Sequence, residues 1–154
     1  MISRFNSVAI FAEDNRAEEQ GTNTLVGIMP DNANFLMNED NGGVPTLPRL
    51  VIYVRSSIPV ATENLTDLTV KFKSPSGKLI AQNPVEASFI EEQIAESKSQ
   101  GSPQTTIISQ FSMSPFPILE QGQFLVIVEF AGEDFLSGFI NFRNSEGMSD
   151  GIAG

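Results

Sequence analysis

Residues 68–73 read Leu-Thr-Val-Lys-Phe-Lys, with apolar and polar side chains in strict alternation. Successive side chains of a β-strand point to opposite faces. Leu68, Val70 and Phe72 therefore face a core, while Thr69, Lys71 and Lys73 face water, as in a half-solvated antiparallel strand. Few other folds tolerate that period.

The same pattern recurs along the chain. It predicts strands over 5–12, 24–29 and 47–55, where Leu50, Ile52 and Val54 share one face and Val51, Tyr53 and Arg55 the other. A short strand over 33–37 is also consistent with the pattern. Ser74-Pro75-Ser76-Gly77 suits a type I turn, and 78–81 returns as the partner of 68–73. Strands over 105–113, 124–130 and 135–143 complete the set. The almost continuously apolar 124–130 reads as a central strand buried on both sides or nearly so. Residues 13–21 and 38–43 read as polar loops, and residues 144–154 as a flexible C-terminal tail.

One helix interrupts the β pattern. Ser88 and Glu91 have capping-box spacing, Ile90 and Ile94 share a face, Lys98 is near the end and Gly101 is a stop. About ten residues is too short to stand alone, so this helix must pack on the sheets.

About eight short strands with one short helix predict a mostly β chain. The expected architecture is an antiparallel β-sandwich, immunoglobulin-like or C2-like, in a single domain over residues 1–143. The 154 residues suffice for one core without a staple. Trp is absent and Tyr53 is the only tyrosine, so Phe, Ile, Leu and Val must fill that core. Residues 119–129, Leu-Glu-Gln-Gly-Gln-Phe-Leu-Val-Ile-Val-Glu, resemble the start of the penultimate strand of immunoglobulin-like sandwiches. There a tyrosine typically stands where Phe124 stands here, and Phe124 lacks the hydroxyl.

The inventory argues against enzymes. His and Cys are both absent, which removes Ser-His-Asp and Cys-His constellations and the usual zinc ligands. No Lys has Ser three residues before it, and Gly77-Lys78 lacks the rest of a phosphate loop. The expectation is a non-enzyme with no cofactor. A net charge of −10, with nine Lys and Arg, disfavours nucleic acid and anionic membrane as partners. No stretch is apolar enough for a membrane span.

Two features remain as site candidates. The acidic runs around Asp14 and Asp40 offer oxygen ligands for Ca²⁺, although Arg49 stands where an EF-hand needs its bidentate Glu. Solvated loops are the simpler reading of both runs. The seven Phe between 111 and 142 are first of all core residues, but residues 113–119 carry two prolines among apolar neighbours. Phe116, Ile118 and Leu119 are the interface candidates there. Asn64-Leu65-Thr66 has the glycosylation spacing, read as accidental without a secretory signal.

Val8-Ala-Ile-Phe-Ala12, Gly21-Thr-Asn-Thr-Leu-Val-Gly27-Ile28, Leu47-Pro48-Arg49-Leu50-Val-Ile-Tyr53-Val-Arg55 and the Pro75–Gly77 turn resemble a family of small, functionally uncharacterised bacterial and phage β-sandwich proteins. The resemblance covers about the first half of the chain. It implies a bacterial or phage setting and assigns no functional residue. The functional expectation is a protein-interaction or structural module, with a phage or virion accessory role as one version. Its partner is another protein or a second copy of itself. The location is cytoplasmic, or the virion if the gene is phage-encoded. The alternative is a sandwich that binds a cation or small ligand with acidic loops at one end.

Overall fold

The computed structural model describes residues 4–35 and 44–144. In chain order the elements are β1 (Asn6–Ala17), β2 (Asn23–Ile28), β3 (Asn32–Phe35), β4 (Thr46–Leu47), β5 (Leu50–Pro59), β6 (Leu68–Lys73), β7 (Leu79–Val85), α1 (Ala87–Ser99), β8 (Gln104–Met113), β9 (Phe116–Pro117), β10 (Gly122–Phe130) and β11 (Glu133–Asn144). Eight of these strands have six residues or more, the number the sequence predicts.

One sheet has the order β2-β1-β5-β8 and the other β3-β11-β10-β6-β7, while β4 and β9 pair as a small clasp. Every pairing is antiparallel except that of β3 with β11. The inner faces meet as a β-sandwich. From the first sheet Phe11, Leu50, Ile52, Val54 and Ile107 point inward, and from the second Val70, Phe72, Val126, Ile140 and Phe142. In β6 the alternation holds residue by residue, with Leu68, Val70 and Phe72 fully buried.

The sheets come close where β1 passes β11. A Cβ on Gly138 would stand 3.0 Å from the Ala9 Cβ and 3.2 Å from its carbonyl oxygen. Only glycine fits that gap without displacing a strand. The β10–β11 register shifts beside it, between Val126 and Ile127. Ser137 lies at this irregularity, and its buried hydroxyl has no hydrogen-bond partner among the described residues.

Several expectations need correction. Residues 13–17 are not loop: β1 continues to Ala17 and pairs with β2 through Asn15–Leu25 and Ala17–Asn23. This two-stranded ribbon is largely solvated, so strand residues there are as polar as a loop. Strand β10 is central, but one face only is fully buried, since Leu125 and Ile127 are half-buried and Glu129 is exposed. The predicted strand at 47–55 breaks at Pro48-Arg49 into β4 and β5.

The helix forms, with Ile90 and Ile94 buried as predicted, but it is 13 residues long. Ser88 is not its cap: the N-cap is Glu86, which makes no side-chain cap bond. Instead the Ala87 N–H donates to Asp67 Oδ1 at 2.9 Å, a cap supplied from twenty residues away. At the other end the Ser102 N–H donates to the Ser97 carbonyl and Gly101 N–H to that of Lys98, with Gly101 at φ 76°. Those two bonds make a Schellman stop. Helix α1 links the edge strands β7 and β8 and closes the side of the sandwich between them. The tail and the 38–43 loop, apart from Asn144 at the end of β11, lie outside the described residues.

Candidate functional site

The side closed by α1 is closed over only part of its length. Toward Leu79 on β7 and Met113 on β8 it opens into a groove of about 480 Å³. The groove has Phe116 and Phe124 among its lining, with Leu79, Ile80, Pro115 and Leu119 around them and Lys78 and Glu120 as its charged groups. Leu79 and Ile80 both line it because the β6–β7 register shifts between Phe72 and Lys73. A bulge lets neighbouring side chains share one side.

Residues 114–118 are fastened across the end of the sandwich. The Ser114–Pro115 peptide is cis. Ser114 Oγ donates to the Pro48 carbonyl at 2.9 Å, and the Ile118 N–H to the Pro45 carbonyl at 2.8 Å. The clasp pairs Thr46 with Pro117 and Leu47 with Phe116.

This anchoring separates the three interface candidates. Phe116 is 4% exposed, and its ring centroid lies 6.1 Å from both Phe72 and Phe124 and 6.2 Å from Phe142. Ile118 is also 4% exposed. Both belong to the core, because two prolines confine the chain while the clasp turns Phe116 inward, and Phe116 meets the groove only with the small part of its ring left uncovered. A charge at Phe116 would disrupt the fold, so it cannot test an interface. Leu119 is 72% exposed and stands at the groove.

Glu120 pins the neighbouring turn. Its Oε1 accepts the Ser76 N–H at 3.1 Å. The Ser74 and Ser76 hydroxyls, then the Ser76 N–H and the Lys78 charge, hold its carboxyl below the ordinary value. Within the turn the Gly77 N–H donates to the Ser74 carbonyl, as the type I reading requires. Lys78 makes no ion pair within 4 Å among the described residues.

Of the two cation candidates, Asp14 is engaged by its own chain. Asp14 Oδ1 accepts Arg49 Nη1 at 2.6 Å and the Asn15 N–H at 2.8 Å. Arg49 also donates from Nε to Ser112 Oγ at 2.8 Å and from Nη2 to Asn15 Oδ1 at 3.0 Å. It thereby crosses the first sheet's outer face from β8 to β1. Sequence reasoning missed this brace, since its partners are 34 and 63 residues away. Asp40 lies outside the described residues. Among the described residues no three acidic side chains converge on a point that could hold a metal ion.

Phe124, at the position of the immunoglobulin tyrosine, is buried and packs edge-on against Phe142 with centroids 5.4 Å apart. No helix among the described residues is long and apolar enough to cross a membrane. No known protein family matches this chain, and no curated protein matches it.

Proposed function

We propose that the chain is a non-enzymatic protein-interaction module whose docking site is the groove between Leu79 and Leu119. The observation that carries this reading is Leu119, the most exposed large apolar side chain described, standing beside an open apolar groove. A water-facing leucine of this kind marks an interface when it borders a larger apolar patch.

Charge narrows the partner. Glu120 is occupied by the Ser74–Gly77 turn, which leaves the Lys78 ammonium, without an ion pair within 4 Å among the described residues, as the group a ligand can engage. The fitting partner is a protein segment with apolar side chains next to a carboxylate. The absence of His and Cys from the sequence supports a binding role over catalysis. A bacterial or phage setting, in the cytoplasm or as a virion accessory, is part of this proposal.

The test is selection of a randomised decapeptide display library on the protein, followed by fluorescence anisotropy of the recovered peptides. Recovered sequences should pair apolar residues with Asp or Glu. Leu119→Asp and Lys78→Glu should each weaken their binding at least tenfold without changing the circular dichroism spectrum. If nothing is enriched, or the variants bind equally well, the reading fails.

A further inference from the structure

A second surface is the outer face of the β2-β1-β5-β8 sheet. The register places Val8 opposite Arg55 and Arg55 opposite Ile108, so these three form one row across β1, β5 and β8. The next row is Ile10, Tyr53 and Gln110, and Ile28 on β2 flanks Ala12 beyond it. Val8 is 54% exposed, Ile108 51% and Ile28 63%. Apolar side chains surround an arginine and a tyrosine, the residue types enriched in interface centres.

The charges on this face include Arg55, Asp14 and the Arg49 that already pairs with Asp14 within the chain. Arg55 makes no ion pair among the described residues. At the opposite end of the face stands Asp14, six positions beyond Val8 on β1 and so roughly 20 Å away. Its Oδ1 carries the bonds from Arg49 and Asn15, which leaves Oδ2 unengaged among the described residues. We infer that this face binds a second copy of the chain. A two-fold axis lying across the face would set each Arg55 against the other copy's Asp14 and stack the apolar rows between them.

The face measures roughly 20 Å along the strands and 15 Å across them. That is well under the roughly 800 Å² per partner of a standard interface. The dimer is therefore weak and reversible. Repulsion between two copies carrying −10 each acts in the same direction, so the measurement belongs near physiological salt, where the Debye length is about 8 Å.

The experiment is sedimentation equilibrium from about 10 μM to 1 mM. The weight-average mass of the native chain should climb from 16.7 kDa toward twice that value. Ile108→Asp should remain monomeric throughout. Arg55→Glu and Asp14→Lys should each self-associate at least tenfold more weakly, because each sets like charges together twice. Mixing those two variants should restore association, since both pairs are then complementary. A monomeric native chain, an Ile108→Asp variant that still dimerises, or a mixture no better than its components would each overturn the inference. None of these variants touches the groove, so peptide binding reports on that site separately.

Discussion

The hairpin joining β10 to β11 turns on Ala131 and Gly132, with φ of 54° and 77°. Two consecutive positive φ values are the signature of a type I′ turn, whose twist matches the strands it joins. Glycine adopts that conformation freely, whereas alanine is strained there by its Cβ. Asparagine tolerates it better. Ala131→Asn is thus expected to raise stability by roughly 0.5–1 kcal/mol, read as a higher urea midpoint at unchanged slope. No rise would show that the surrounding sheet, not the turn, sets the local energy. The residue scale also explains the fate of Phe116. With Trp absent and one Tyr, phenylalanine supplies the aromatic volume, and ring packing with Phe72, Phe124 and Phe142 outweighs any role on the surface.

At the scale of elements, α1 is held by parts distant in sequence. Its two buried isoleucines reach between the sheets, and its first N–H is satisfied by Asp67 before β6. Asp67→Ala removes that acceptor and is expected to cost about 1 kcal/mol of global stability. Ser88→Ala, by contrast, should change little, and the reverse ranking in denaturant melts would restore the capping box. This pair shows what is legible in a sequence. The Ile90–Ile94 spacing and the alternation of β6 are local patterns that burial enforces, so they read true. The cap is a contact between separate segments, and no local spacing reports it. The same holds for Arg49, whose partners come from β1 and β8. Residues 13–17 mislead for a different reason: a solvated ribbon places no hydrophobic demand on its strands, so its charges mimic a loop. The groove itself was half legible. The run around Pro115 signals an irregular crossing, but only the clasp decides that Phe116 goes in and Leu119 stays out.

At the scale of the whole molecule, two carboxylates and one amine contribute to the response to pH. The Lys71 ammonium, bonded at 2.6 Å, and its charge hold Glu129 below the ordinary value of 4.5, as the turn hydroxyls hold Glu120. A carboxyl depressed in the folded state contributes stability above its unfolded value and loses it as pH falls through the folded one. The bond to Glu129 raises Lys71 above 10.5, so its contribution is complete below that value and is lost as pH rises further. Histidine, which would titrate between, is absent. The melting temperature should therefore be flat between about pH 6 and 9 and decline below about 4.5, with the acid decline reduced in Glu120→Gln. A step near neutrality would contradict this.

The order of strands also governs how the chain reaches this state. The β1–β2, β6–β7 and β10–β11 hairpins close over short connections. The β5–β8 ladder instead joins Leu50 to Met113 and Pro59 to Gln104, across the whole β6–β7–α1 segment. Closing so large a loop costs chain entropy before any pairing offsets it. Assembly is thus expected to be slow for a chain of this size, in the millisecond-to-second range typical of sandwiches. Its late steps are expected to be the two long-range ladders, β5 with β8 and β6 with β10, and until they close the inward faces of both sheets stand open to water.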